Sequence, residues 1–219
     1  MKKDYWLQRW EREETGFHKH EINSYLRQHW QALHLAPGSE VFVPLCGKSR
    51  DMSWFSEQGY PVLGVELSAI AVQAFFQESG RTPLHIAGER FDRYETDDIR
   101  ILCGDFFALG KDDLSNVKAV YDRAALVALS PETRELYVRH LLGILPPATQ
   151  ILLLTFDYPQ PEMPGPPFAV SSGEVEALYH GHAAIRLLAQ RNVLAQEPRF
   201  QERGLSRLEE GVFLLTLHG

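Results

Sequence analysis

Six consecutive residues, Ile151-Leu152-Leu153-Leu154-Thr155-Phe156, are almost wholly apolar on both sides of any strand they form. A run this short is a strand rather than a core helix, and apolar character on both faces suits a central strand of a parallel sheet. Such a strand needs helices above and below it, and the rest of the chain supplies them. Val41-Phe42-Val43 is a short apolar run ending in the turn Pro44-Leu45-Cys46-Gly47. A helix over 51–58 stops at Gly59, and Val62-Leu63-Gly64-Val65 is the next strand. Ser68 caps a helix carrying Ile70, Val72, Ala74, Phe75 and Phe76, which Gly80 ends. Ile99–Leu102 and Ala119–Tyr121 read as the third and fourth strands, and Ser130-Pro131 opens a helix closed by Pro146-Pro147. Strands alternating with helices in this way give an α/β fold with a doubly wound, mostly parallel sheet.

Ahead of the first strand the pattern is helical. Asp4 is the candidate N-cap of a helix through Glu14, with Gly16 as its stop. Ile22, Tyr25, Leu26, His29, Trp30 and Leu33 form one stripe of a second helix, closed by Pro37-Gly38, with His29 a half-buried member. After the central run, the segment 159–167 holds five prolines and a glycine and reads as a stiff loop. Ser171-x-x-Glu174 has the spacing of a capping box. Ala184–Leu188 and Val212–Leu217 are expected to pair antiparallel, because too little apolar sequence separates them for a crossover helix. No repeat or composition break divides the chain, so residues 1–219 are expected to form a single domain.

Charge narrows the partners. Lys and Arg total 22 against 29 for Asp and Glu, a formal net charge of −7. That weighs against a nucleic-acid binder or a polybasic membrane-surface protein, both of which need positive fields. Cys46 and Cys103 are the only cysteines, too few for a disulfide framework. The N-terminus turns polar by Gln8 and Arg9, and no apolar run approaches the roughly 20 residues of a membrane helix. A cytoplasmic protein follows, and a monomer is expected.

Doubly wound sheets bind ligands at the carboxyl ends of their strands. Gly47-Lys48-Ser49 imitates the end of a P-loop, yet Phe42 stands where the first glycine must be. The dinucleotide pattern G-x-G-x-x-G fails as well, since no glycine follows Gly47 before Gly59. An acidic residue survives: Glu66 ends the second strand 19 residues after Gly47, the spacing of a carboxylate that accepts from a ribose diol. The alternative for Glu66 is a solvated loop residue. Asp105, after Cys103-Gly104, could take an adenine amine or be a plain turn aspartate. Asp122-Arg123 closes the fourth strand, where Arg123 faces the ligand crevice or simply pairs with a carboxylate. A ribose ligand without phosphate machinery points to an adenosine-type cofactor lacking pyrophosphate. His18-Lys19-His20 and His180-Gly181-His182 lack further ligands at metal spacing, so no metal is expected. No G-x-S-x-G marks a serine hydrolase.

At these positions the sequence resembles the thiopurine S-methyltransferases, especially their bacterial branch. Trp6-x-x-x-Trp10 with Gly16-Phe17-His18 is similar to the family's aromatic N-terminal segment. Val43-Pro44-Leu45-Cys46-Gly47-Lys48 resembles the loop that replaces the glycine-rich turn of most methyltransferases. Gly64-Val65-Glu66-Leu67-Ser68, the run Tyr121 to Ala128, and Pro164-Gly165-Pro166-Pro167-Phe168 extend the likeness over nearly the whole chain. The resemblance implies a seven-stranded, Rossmann-like methyltransferase fold that binds S-adenosyl-L-methionine (AdoMet), with residues 1–36 as a helical lid. It implies methylation of sulfur in thiopurines and related heterocyclic thiols, and extends to selenium or tellurium species. It places Trp10, Leu45, Glu66 and Arg123 against AdoMet, with Gly104 and Asp105 near the adenine. The chain departs from animal members at Gly104-Asp105-Phe106.

What this implies mechanistically is direct transfer to a soft nucleophile, which alignment favours more than a dedicated base. No general base stands out, and Arg123, Arg203 and Arg207 are the cations available to hold a thiolate. Trp6, Trp10 and Phe17 are read as lid residues, the alternative being ordinary N-terminal packing. Competing readings are a methyltransferase for another small molecule, an NAD(P)-dependent oxidoreductase, which the missing glycine fingerprint disfavours, and a non-catalytic AdoMet-binding module.

Overall fold

The computed structural model describes residues 3–14, 19 and 21–218. Gly16, Phe17, His18 and His20 lie outside the described residues. Contacts divide the chain into two compact units, one running to Tyr121 and one from Asp122 onward.

In the first unit, α1 (Lys3–Glu11) precedes α2 (Ser24–His29). Asp4 sits inside the first turn of α1 rather than capping it, and α1 ends before Glu14. The second helix is shorter than its apolar stripe. Asn23 accepts from the amides of Tyr25 and Leu26, so the helix starts after Ile22, and residues from Trp30 to Leu33 tighten into a 3₁₀ turn. The stripe nonetheless packs as expected: Tyr25, Leu26, Trp30 and Leu33 are buried, and His29 is half-buried.

The sheet of this unit follows: β1 (Glu40–Val43), α3 (Asp51–Glu57), β2 (Val62–Glu66), α4 (Ala69–Glu78), β3 (Leu84–Ile86), β4 (Asp92–Glu95), β5 (Ile99–Cys103) and β6 (Val117–Asp122). β5, β2, β1 and β6 lie side by side and parallel. All five residues of β2 are buried, the signature of a strand covered on both faces. Glu66 and Cys103 stand opposite each other at the carboxyl ends of β2 and β5. β3 and β4 form an antiparallel extension on β5 that sequence patterning missed. They are only three and four residues long, and β4 carries a single apolar side chain, the buried Tyr94, so neither offers a run long enough for alternation to register. They bring the strands among the described residues to nine where seven were expected.

The second unit contains α5 (Pro131–Ile144), β7 (Gln150–Asp157), α6 (Ser172–Tyr179), β8 (Ala183–Asn192), α7 (Pro198–Glu202) and β9 (Glu209–Leu217). β9 pairs antiparallel with both β7 and β8, as expected for the last two strands. For β7 the neighbour is less expected. The central run is buried on both faces, yet its β9 partner runs antiparallel, because double-sided burial depends on what covers a sheet rather than on strand direction. Ser171 caps α6 by accepting from the Glu174 amide. Under the proline-rich loop lies a small cluster of Tyr158, Met163, Val193, Phe200, Leu205 and Leu208.

Candidate active site

The loop after β1 turns through two left-handed residues, Leu45 at φ 48° and Gly47 at φ 52°. A leucine in that region stores strain, which persists where neighbours over-determine the backbone. The determinants are visible. The Cys46 amide donates to the Val65 carbonyl at 3.0 Å, and the Gly47 amide donates to Glu66 Oε2 at 2.9 Å. The other carboxylate oxygen, Oε1, accepts from the Ser68 amide at 2.8 Å, just ahead of α4.

Glu66 is 6% exposed. Burial raises its carboxyl above the usual range, and the Ser68, Gly47 and Leu67 amides pull it back. An ionised carboxylate offers about four acceptor positions. Gly47 and Ser68 each take one position at hydrogen-bond distance, and the Leu67 amide bears on the carboxylate more weakly, so each oxygen retains acceptor capacity. That remainder matches the two hydroxyls of a ribose diol, so the residues present fit an adenosine-type cofactor.

Trp10 is buried against the same loop. A Cβ on Gly47 would lie 3.2 Å from Trp10 Cζ2, so α1 lies directly on the turn and a larger residue would push it off. A second tether is an ion pair of 2.7 Å between Lys3 Nζ and Asp105 Oδ2. Asp105 also caps the 3₁₀ turn after β5, accepting from the Phe107 amide at 3.1 Å. Gly104 donates its amide to the Glu66 carbonyl at 2.8 Å, and a Cβ there would fall 2.5 Å from Phe91 Cδ1. Packing against Phe91 thus requires this glycine, whatever ligand comes near. Trp10, Leu45, Glu66, Gly104 and Asp105 are therefore gathered around the carboxyl ends of β1, β2 and β5.

Two thiols flank Glu66. Cys46 is buried and raised by burial and by the Glu66 charge; Cys103, half-buried, is pushed up to about 11 by burial, Glu66 and Asp92.

Arg123 begins the loop that follows β6. Ala124 is left-handed at φ 62°. Here too a buried carboxylate holds the turn: Asp122 Oδ1 accepts from the Leu126 amide at 3.0 Å, and Oδ2 accepts from the Tyr137 hydroxyl at 2.7 Å. Burial raises Asp122 to about 6, against the two hydrogen bonds that favour its anion. Arg134, wholly buried, donates to the carbonyls of Leu126 and Leu129 and pairs with Glu174. The Phe168 amide donates to the Val127 carbonyl at 2.7 Å, which ties the Pro164–Phe168 segment to the same loop. Sequence reading singled out Arg123 and passed over Asp122, Arg134 and Tyr137. An aspartate ending an apolar strand and an arginine within the first turn of a helix were the available signals.

Arg207 pairs with Asp157 at 3.4 Å and Glu209 at 3.2 Å, so its charge is already matched. Arg203 is exposed and its guanidinium lies 3.4 Å from Met163 Sδ. Among the described residues no group of three His, Cys, Asp or Glu side chains could hold a metal, and no helix is long and apolar enough to cross a membrane.

The model of the family "Thiopurine S-methyltransferase (TPMT)" matches residues 1–218. The chain belongs to the thiopurine S-methyltransferase family. A protein of that name from Nitrosospira multiformis is 65% identical over 98% of this chain and 98% of its own length. Another from Azotobacter vinelandii is 48% identical, covering 98% and 99%. Among solved structures, a Burkholderia thailandensis 1,6-didemethyltoxoflavin-N1-methyltransferase bound to S-adenosylhomocysteine superposes with a TM-score of 0.63 over 99% of this chain and 87% of its own, at 15% identity. A TehB-like methyltransferase from Corynebacterium glutamicum gives 0.55 at 15% identity, over 96% of each chain. These two share the fold. The expected Rossmann-like architecture therefore holds, and as a member of its family the protein is an AdoMet-dependent methyltransferase.

Proposed function

We propose that this methyltransferase acts on the sulfur of thiopurines and related small heterocyclic thiols. The observation that carries the reading is the match of the thiopurine S-methyltransferase model to residues 1–218. When bound, AdoMet supplies an electrophilic methyl group on a sulfonium. Glu66 is the proposed ribose ligand, through the acceptor positions it does not spend on Gly47 and Ser68. Leu45 and Gly47 shape the loop beneath Trp10, which excludes water from above it. Gly104 and Asp105 are proposed at the adenine, and Arg123 at the cofactor on the family resemblance.

No residue is assigned as general base, since a heteroaromatic thiol is acidic enough to react as its anion. Arg203 is the better candidate than Arg207 to attract that anion, because two carboxylates already neutralise Arg207. Selenium and tellurium nucleophiles belong to the same soft class. We place the protein in the cytoplasm, as a monomer. The decisive experiment is turnover of radiolabelled AdoMet with a thiopurine, a simple aromatic thiol and a selenium nucleophile offered separately. Label transferred to the thiopurine sulfur supports the reading. Tight AdoMet binding with no label on any sulfur acceptor removes it.

A further inference from the structure

We infer that Asp122 is a positioning residue for methyl transfer: its buried carboxylate, gripped by Tyr137 and the Leu126 amide, sets the strained turn that begins with Arg123. The inference rests on the proposed placement of Arg123 at the cofactor.

The geometry starts from Ala124. An alanine at φ 62° is unfavourable on its own and needs outside restraint. Asp122 provides it across the turn, because its Oδ1 accepts the amide of Leu126. Arg134 then fixes the far end through the carbonyls of Leu126 and Leu129. Arg123 lies between these two anchors, so the direction in which it leaves the turn depends on both.

The ionised form of Asp122 is the one that suits this role. A carboxylate is acceptor-only and takes both the amide and the Tyr137 hydroxyl; a protonated acid turns one oxygen into a donor, and Tyr137 must then swing its own proton away within the core to accept from it. The groups that bear on Asp122 are Tyr137 from α5 and Tyr179 from α6, with Arg123 next to it along the chain. Arg134 of α5 is committed to two carbonyls and to Glu174. Tyr179 is wholly buried, its hydroxyl makes no hydrogen bond, and the Asp122 charge pushes its acidity further down. No cation from these helices pairs with the carboxylate, and burial leaves Asp122 titrating near 6, within reach of physiological acidification.

The test compares Asp122→Asn, Tyr137→Phe and Arg123→Ala with the unaltered enzyme, reading AdoMet affinity by calorimetry, kcat/KM from pH 5.5 to 8.5, and the unfolding midpoint at pH 8. The parent enzyme should lose kcat/KM on an acid limb near pH 6. Tyr137→Phe removes a donor that favours the anion, so the limb should move to higher pH, with at least threefold more activity lost at pH 6.5 than at pH 8.5. Asp122→Asn should lack the limb and fall at least tenfold in kcat/KM at pH 8, with an unfolding midpoint no lower than the parent's. A limb that stays in place in Tyr137→Phe, or activity in either variant that falls only as far as folded protein is lost, overturns the inference. The parallel Arg123→Ala measurement separates the two levels. Unchanged AdoMet affinity and turnover there overturn the placement of Arg123, whereas an impaired Arg123→Ala beside unimpaired Asp122 and Tyr137 variants overturns the role of Asp122 alone.

Discussion

The turns after β1 and β6 solve one problem with one device and differ in where the device faces. Each contains a left-handed residue that is not glycine, Leu45 or Ala124, and in each a buried carboxylate accepts a backbone amide to hold it. Glu66 reaches in from the neighbouring strand, and its second oxygen takes another amide, that of Ser68. Both of its oxygens keep acceptor capacity for a ligand. Asp122 belongs to the strand that leads into its own turn, and its second oxygen is capped by a tyrosine within the core. The first carboxylate thus holds the loop and, on the proposed reading, the cofactor as well, whereas the second serves the loop alone. Two charges that look equivalent in a list of buried acids have different audiences.

The largest effect that should break this comparison is at Arg134. Arg134→Ala strips the second turn of its carbonyl anchors, empties a buried site and orphans Glu174. A loss of about 3–5 kcal/mol in denaturant unfolding is expected, as for other broken buried ion pairs. A cost below 1 kcal/mol would mean the turn holds without it. Next, Glu66→Ala should weaken AdoMet binding by about 1.5–3 kcal/mol, the worth of charge-assisted hydrogen bonds. Calorimetry that finds parent-like affinity would remove Glu66 from the ribose site and make the two carboxylates alike.

Gly47→Ala comes third. A left-handed alanine costs about 1–2 kcal/mol, and its Cβ would press on Trp10. The midpoint of thermal unfolding should drop and AdoMet affinity with it; a drop in stability with affinity intact would separate α1 from the cofactor site. The smallest effect is a slope. A carboxyl raised in the folded state binds protons more tightly there than in the unfolded chain, so its contribution to stability is present at low pH and fades as pH rises through the folded value, about 6 for Asp122. Stability should therefore decline between about pH 4, the ordinary carboxylate range, and about pH 6.5, and Asp122→Asn should flatten the decline. Equal slopes in both proteins would show that Asp122 is not the group titrating.

The same contrast explains what could be read from the sequence. The position of Glu66 at the end of β2 was legible because turn, helix and strand follow one another at a set spacing from Gly47, and burial on both faces announces β2 and β7 through apolar runs. Asp122 was invisible as a restraint because its partner Tyr137 is 15 residues away on a helix, where nothing in the local pattern distinguishes it from other core aromatics. Arg134 was hidden for a similar reason. Its charge predicts exposure, and the carbonyls of the turn before α5 together with the distant Glu174 make burial tolerable. The β3–β4 extension escaped because its strands are only three and four residues long and carry few apolar positions. The break in the second helix escaped because Asn23 captures two amides and starts the helix late, while the apolar stripe runs on regardless.

Cys103 bears on selectivity of a different kind. A methyltransferase proposed to act on sulfur, carrying a half-buried thiol opposite Glu66, runs the hazard of alkylating itself. A thiol titrating at about 11 is roughly one part in ten thousand thiolate at neutral pH, and thiolate is the reactive form. Cys46, sealed and raised by the same Glu66 charge, is quieter still. Burial, reinforced by the carboxylate proposed to hold the ribose, therefore quiets the chain's own sulfur, leaving the field to acceptors acidic enough to arrive as anions.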